Sequence, residues 1–183
     1  MARWWTWALG AAALVVPGVA LAFRRQPDES EASFVAKLPR YAQPFGAFVY
    51  RSAQRWSVDP WLLARVIDLE SQFGEALTPR GPGGTGDHGH GRGLAQVDDR
   101  TWGEWLNEYD WQDPATNIDK GAQILSANLR MFSGNVKNAL AAYNAGPSKV
   151  MHALSQGVDP ATVTSKASNG LFYPDNVLRR LGG

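Results

Sequence analysis

The sequence predicts a mainly α-helical domain interrupted by one glycine-rich excursion. Apolar residues recur every three or four positions over residues 59–71, 117–132 and 135–144, which is typical of helices packed on a core. Residues 78–93 are too rich in glycine and proline to form a helix. We therefore expect helices around one core and, after the helix that ends near residue 71, a loop or small β-hairpin.

Composition excludes several classes of function. A chain of 183 residues with 44% hydrophobic residues can bury the core of one domain. Its net charge is only +1, and Arg3, Arg24 and Arg25 flank the N-terminal segment, so the remainder has no basic surplus for binding nucleic acid. The absence of cysteine excludes disulfides, thiolate metal sites and cysteine nucleophiles.

The N-terminus carries an export signal of one of two kinds. Residues 4–23 form an uncharged run of 20 residues, which as a helix would span about 30 Å, the thickness of a bilayer core. The stretch Ala20-Leu21-Ala22 also fits a signal-peptidase site. We expect residues 1–25 to be a membrane anchor or a signal peptide cleaved near Ala22, and either would carry the remainder across a membrane.

The rest of the chain divides into a short linker and one domain. Residues 26–44 are expected to hold a polar linker and the start of the first helix, in a mostly helical stretch that runs over residues 33–56. Residues 45–183 would form the main domain. Gly146-Pro147 marks the stop of one helix and the start of the next, and Tyr173-Pro174 opens a last helix.

Glu70 is the candidate general acid. Its helix begins with Asp59 as a cap and Pro60 in the first turn, and Glu70 continues the apolar face formed by Leu62 and Val66. Apolar surroundings and the negative end of a helix both raise the pKa of a carboxyl group. A carboxylic acid that stays protonated near neutrality can act as a general acid. The alternative is that Glu70 ends a helix and faces solvent.

Two further carboxylates could share a cleft with Glu70. Asp87 lies in the glycine-rich segment, and Asp98 follows eleven residues later. Glycosidases need such a set, in which one carboxyl protonates the leaving oxygen and another activates water or stabilises the transition state. Alternatively, Asp87 caps a turn and Asp98 caps a helix.

Other interpretations of the glycine-rich segment are weaker. Residues 81–86 match the spacing of a dinucleotide-binding loop, but no apolar strand precedes them and no βαβ unit surrounds them. Asp87, His88 and His90 could be metal ligands, although such residues are common in glycine loops without a metal. We expect neither a metal nor an organic cofactor.

Several motifs follow one another along the chain. They are Glu70-Ser71, Gly86-Asp-His-Gly-His-Gly-Arg-Gly-Leu-Ala-Gln-Val-Asp98, Asn117 with Gly121 and Ile124-Leu125, Ala142-Tyr-Asn-Ala-Gly146 and Tyr173-Pro-Asp-Asn-Val177. In this order they resemble those of goose-type lysozymes and the soluble lytic transglycosylases of the same superfamily. The resemblance covers roughly residues 45–181.

The resemblance implies a lysozyme-like fold and a set of site residues. Glu70 falls on the catalytic acid, and Asp87 and Asp98 fall on two aspartates linked to positioning the water. The positions that fall on sugar-contacting or acid-adjacent residues are Gln96, Tyr143, Asn144 and Tyr173. Two positions depart from the family pattern: Ala95 replaces the usual Met, and Trp102 stands where a His is usual. Trp102 could add a surface for stacking a sugar or be a core or rim residue.

The resemblance implies a muramidase that cuts the MurNAc–GlcNAc β-1,4 bond of peptidoglycan. With Asp87 and Asp98 holding water, the expected outcome is hydrolysis with inversion. The alternatives are lytic transglycosylation, for which Glu70 alone would suffice, and a non-catalytic module that binds or anchors to the wall. The expected partners are the glycan strands and, through residues 4–23, a membrane. A phage lysis enzyme and a bacterial wall-remodelling enzyme would both fit.

Overall fold

The computed structural model describes residues 29–180, and this part of the chain is mainly helical. The predicted fold class is confirmed for this range, and the arrangement fits a lysozyme-like fold. The helices are α1 (Glu31–Lys37), α2 (Gln43–Trp56), α3 (Pro60–Ser71), α4 (Asp99–Glu108), α5 (Pro114–Met131), α6 (Val136–Ala145), α7 (Pro147–Ser155) and α8 (Tyr173–Arg179), and the strands are β1 (Thr85–Gly86), β2 (Gly91–Arg92) and β3 (Val97–Asp98).

The structure covers only part of the region for which the N-terminal predictions were made. The apolar run over residues 4–23 lies outside the described residues. In residues 29–180, none of the helices combines the length and the apolar character needed to cross a bilayer. The stretch predicted to be mostly helical over residues 33–56 is broken into α1 and α2. Leu38 ends α1 in an extended conformation, as expected for a residue that precedes a proline.

The third helix lies at the centre of the core. Asp59 caps it by accepting a hydrogen bond from the backbone N–H of Leu62 at 2.8 Å, and Pro60 occupies its first turn, as predicted. Its middle residues, including Val66 and Ile67, are fully buried. A helix that is apolar on most of its faces is buried by its neighbours, and α3 packs against α2, α5 and α8.

A small antiparallel sheet follows α3 and contains the predicted hairpin. β1 pairs with β2 through Thr85 and Arg92, and β2 pairs with β3 through Gly91 and Asp98. A single 3₁₀ turn over Asp87–Gly89 joins the first two strands. The sheet therefore positions Asp87 just after its first strand and Asp98 at the end of its last.

The turn between β2 and β3 is held by side chains from three helices. Ser71 of α3 donates its hydroxyl to the carbonyl of Leu94 at 2.7 Å. Tyr143 of α6 donates its hydroxyl to the carbonyl of Ala95 at 2.8 Å. Because Ser71 directly follows Glu70, the first of these bonds places the turn beside the candidate acid.

Asn117 of α5 completes the attachment of this turn. Its Oδ1 accepts from the backbone N–H of Ala95 at 2.8 Å, and its Nδ2 donates to the carbonyl of Arg92 at 3.0 Å. The side chain is fully buried. Gly93 has a φ of +66°, and a Cβ there would lie 2.4 Å from the amide nitrogen of Asn117. Only glycine fits this close approach.

We expect Asn117→Ala to lower the free energy of unfolding by about 3 kcal/mol, because two buried backbone groups lose their partners and a small cavity forms. Asn135→Ala is the matched control. Asn135 caps α6 at the surface, and its loss should cost about 1 kcal/mol. Chemical denaturation of both variants measures the difference. Equal losses would show that Asn117 does no more than an exposed cap.

Candidate active site

Glu70 lies in the last turn of α3 and is partly buried. The hydroxyl of Tyr173 donates a hydrogen bond of 2.5 Å to its Oε1. Burial raises the pKa of Glu70 to about 7, and the charge of Asp87 acts in the same direction. The bond from Tyr173 opposes this rise, since it stabilises the ionised form. Glu70 therefore exchanges its proton near neutral pH, as its place on an apolar helix face predicts.

Two tyrosines surround the acid. Burial and the charge of Glu70 raise the pKa values of Tyr143 and Tyr173 well above the usual range. Both hydroxyls thus stay protonated and act as donors, Tyr173 to Glu70 and Tyr143 to the backbone carbonyl of Ala95.

The helix that carries Tyr173 is attached to α3 by a second contact. Arg180, directly after α8, donates to the buried carboxylate of Asp68 at 2.8 Å. Asp68 also accepts from the hydroxyl of Tyr41 at 2.8 Å. Since Tyr173 opens α8 and Arg180 follows its end, α8 is held against α3 at both ends, which fixes Tyr173 beside Glu70.

Asp87 and Asp98 are brought together by Arg100. The guanidinium of Arg100 donates to Asp87 Oδ2 at 2.9 Å and forms close hydrogen bonds with both oxygens of Asp98. These bonds hold the pKa of the Asp98 carboxyl below its usual range. The side chains of Asp87 and Arg100 are more than half exposed, so the pair faces open solvent.

Asp98 also has the structural role that the sequence left open. Its Oδ1 accepts from the backbone N–H groups of Arg100 and Thr101, so it is the N-cap of α4. The cap holds one carboxylate oxygen at the helix start and does not preclude a second function. Asp87 begins the 3₁₀ turn, with a φ of +44°.

Sequence reasoning missed Arg100 as a member of this site. The only local sign of it is an arginine two residues after a candidate carboxylate at a helix start. Its link to Asp87, thirteen residues away, depends on the path of the hairpin and has no sequence signature.

Two glycines of the hairpin leave room for the side chain of Gln96. Gln96 has a φ of +49°, and its Nε2 donates to the carbonyl of Gly93 at 2.7 Å. A Cβ on Gly86 or Gly91 would lie within 2.2 Å of its Oε1. These paired glycines therefore leave the space that the glutamine amide occupies.

A cavity of about 690 Å³, which we call the cleft, adjoins Gln96 and Asp98. Tyr143 lies between this cavity and Glu70. Its ring lines the cavity, and its hydroxyl is close enough to Glu70 for the charge of that carboxyl to raise the pKa of Tyr143. The side chain of Asn144 is exposed there, and its Oδ1 accepts from the backbone N–H of Ser165 at 2.8 Å. The predicted site residues that line the cavity are Gln96, Asp98, Trp102, Tyr143 and Asn144. Glu70, Asp87 and Tyr173 are not among its lining residues.

Two of the candidate metal ligands of the hairpin form contacts with other side chains. His90 contacts Asp99 through Nδ1 at 2.9 Å, and Arg92 donates to the same carboxylate at 2.8 Å. Asp87 pairs with Arg100 instead. Across residues 29–180, no three side chains of the kinds His, Asp or Glu are grouped as a metal site would require.

Comparison with known proteins identifies relatives of this chain. A family model described as the transglycosylase SLT domain matches residues 48–163. Lysozyme g of Struthio camelus is 32% identical over 118 residues, which are 58% of this chain and 52% of that protein. Lysozyme G of Dromaius novaehollandiae is 30% identical over 118 residues, with the same coverage. The chain thus spans about half the length of these curated relatives.

We expect Glu70→Gln to stabilise the fold at alkaline pH and not at acid pH. As pH rises from 4.5 to about 7, the unfolded chain releases this proton before the folded protein does, so the wild type loses stability over that window. Above it, the variant should be more stable by about 1–3 kcal/mol. Denaturation from pH 4 to pH 9 measures the difference.

The matched control for this measurement is Glu75→Gln. Glu75 is exposed and pairs with Arg80 at 3.3 Å, so its substitution should change stability little at any pH. If the free energy of unfolding differs between Glu70→Gln and wild type by the same amount at every pH, the pKa of Glu70 is not raised in the folded protein.

Proposed function

The chain belongs to the transglycosylase SLT family, and we propose that it cleaves the MurNAc–GlcNAc β-1,4 bond of peptidoglycan. The observation that carries this proposal is Glu70, a carboxyl group with a pKa of about 7 near a cavity lined by aromatic and amide side chains. A departing glycosidic oxygen requires such an acid. The similarity to curated lysozymes supports the same substrate class.

Glu70 supplies the proton. Tyr173 donates to Oε1, so the neutral carboxyl carries its proton on Oε2 and can transfer it to the glycosidic oxygen as the bond breaks. The transfer leaves a carboxylate. The hydrogen bond from Tyr173 stabilises that carboxylate, because it favours the ionised form.

Asp87 and Asp98 position the water that completes hydrolysis. Asp98 is ionised at neutral pH, since Arg100 lowers its pKa, and an ionised carboxylate accepts hydrogen bonds from water. Arg100 holds the two carboxylates as one unit at the edge of the cleft. Attack by this water on the face opposite Glu70 gives hydrolysis with inversion.

Lytic transglycosylation is the second candidate, and the ion pairs of Arg100 favour it. Both aspartates are already engaged by a guanidinium, which weakens them as bases. In this reaction Glu70 first protonates the leaving oxygen. As a carboxylate it then removes the proton of the 6-hydroxyl of MurNAc, whose oxygen attacks C1 to form a 1,6-anhydro ring.

Mass spectrometry of peptidoglycan digested by the full chain in mild detergent tests the proposal. Products that end in reducing MurNAc are expected. Glu70→Gln should slow their release by roughly 10²- to 10⁴-fold, because the general acid is lost, while Glu75→Gln should cut normally. Products lighter by one water would identify a lytic transglycosylase. If nothing is released by the wild type, the cleavage proposal is wrong and a glycan-binding module remains.

The pH profile of kcat/KM tests the roles of Glu70 and its charged neighbours. Activity should fall as pH rises through about 7, because Glu70 then loses its proton. Asp87→Asn should move this limb to lower pH, since the charge of Asp87 raises the pKa of Glu70. Arg100→Gln should move it to higher pH, because the charge of Asp87 is then unbalanced. If activity falls at the same pH in both variants as in the wild type, Asp87 and Arg100 do not influence the pKa of Glu70.

A further inference from the structure

A second cavity adjoins α4 at its C-terminal end. It has a volume of about 550 Å³ and lies between α2, α4 and α5. We call it the aromatic groove, after the four rings among its lining residues, which are Phe48, Trp56, Trp105 and Tyr109.

The aromatic residues of α4 are not used to build the core. No residue of this helix is buried. Trp105 of α4 and Tyr109, the residue that directly follows the helix, are four positions apart and lie on the same side of it, whereas Trp102 has a non-helical backbone conformation (φ −118°, ψ 25°). The rings of Trp105 and Tyr109 stack with centroids 5.5 Å apart and planes inclined by 17°, and Tyr109 is 47% exposed. Solvent-facing aromatic rings ordered in this way form a ready binding surface.

The aromatic groove adjoins the cleft. Trp56, Lys120 and Gln123 line both cavities. The ammonium of Lys120 lies 3.6 Å from the ring centroid of Trp102, in the cleft, and 5.3 Å from that of Trp105, in the groove. Lys120 therefore contacts one ring in each cavity, which places the groove directly beside the cleft.

The groove has a surplus of positive charge. Arg51 and Arg55 line it, and each forms an ion pair, with Glu31 and Asp119 respectively. Lys120 is 6% exposed and donates to Gln123 at 3.0 Å, and within residues 29–180 it has no ion-pair partner. Asp119 is the one carboxylate among the lining residues. The groove therefore complements a ligand that has both apolar surfaces and negative charge.

We propose that the aromatic groove binds the peptidoglycan glycan strand where it continues beyond the cleft. Sugar rings present C–H faces that pack on aromatic rings, and the carboxylates of the stem peptides complement the two exposed arginines, Arg51 and Arg55. This inference rests on the proposed function for the identity of the polymer. Since the groove does not touch the scissile bond, it lowers KM for long strands without changing kcat.

The test uses Tyr109→Ala, with Tyr109→Phe to retain the ring. Met151→Ala is the control, because Met151 is 48% exposed and lines neither cavity. In a Glu70→Gln background, which binds without cutting, Tyr109→Ala should weaken co-sedimentation with sacculi about fivefold, the loss of one stacked ring. Tyr109→Phe and Met151→Ala should bind as the parent does.

The active forms give a second readout. Tyr109→Ala should raise KM for sacculi about fivefold and leave kcat unchanged, while turnover of soluble GlcNAc-MurNAc-GlcNAc-MurNAc tetrasaccharide–peptides, which contain one MurNAc–GlcNAc bond and fill only the cleft, changes less than twofold. Unchanged co-sedimentation would overturn the inference. Equal losses on long and short substrates would also overturn it, since they would indicate damage to the cleft. Loss of binding to a protein partner alone, with sacculus binding intact, would show that the groove serves protein docking instead.

Failure of the proposed function is distinguishable from failure of this inference. If the wild type cuts no peptidoglycan, yet sacculus binding still weakens with Tyr109→Ala, the groove is a glycan site in a protein that is not a muramidase. If the wild type cuts and binding is unaffected by Tyr109→Ala, the muramidase proposal stands and the groove inference falls.

Discussion

The candidate site depends on the way three helices hold the turn between β2 and β3. The carbonyls and N–H groups of this turn would otherwise be buried without partners, and Ser71, Asn117 and Tyr143 provide those partners from α3, α5 and α6. Because Ser71 follows Glu70, the attachment sets the distance between the acid and the hairpin. Gln96, the last residue of the turn, and Asp98, at the end of β3, are placed by the same contacts. The short strands could not provide this order alone.

Two carboxyl groups at this site have environments that move their pKa values in opposite directions. Burial keeps Glu70 protonated up to about pH 7, whereas hydrogen bonds from Arg100 keep Asp98 ionised. Such a pair can supply a proton and a negative charge at the same pH. The arrangement is unfavourable to folding, because a buried acid that must ionise destabilises the native state at alkaline pH. The burial that gives Glu70 the pKa of a general acid thus lowers the stability of the folded protein at alkaline pH.

Two positions at which this chain departs from its family pattern lie in different surroundings. Trp102, where a His is usual, lines the cleft and is followed in α4 by Trp105. Lys120 lies against both of these rings and belongs to both cavities. Ala95, where a Met is usual, is fully buried, and a Cβ on Gly121 would lie 2.6 Å from its methyl group. Trp102 therefore changes the lining of the cleft, Ala95 changes the packing of the turn on α5, and Glu70 is retained.

The sequence by itself predicted the mainly helical class, the cap of α3 and the candidate acid, because these depend on contacts between residues close in the chain. Asp59 caps α3, Gly146 separates α6 from α7, and Glu70 ends an apolar face, all as the local pattern predicts. The sequence also predicted a loop or small β-hairpin in the glycine-rich segment, but no periodic pattern there indicates the path of the chain. Only the tertiary structure decided that Tyr173 donates to Glu70 from 103 positions away and that Arg100 joins two aspartates. Such pairings depend on how helices and turns pack in space, which local propensity does not specify.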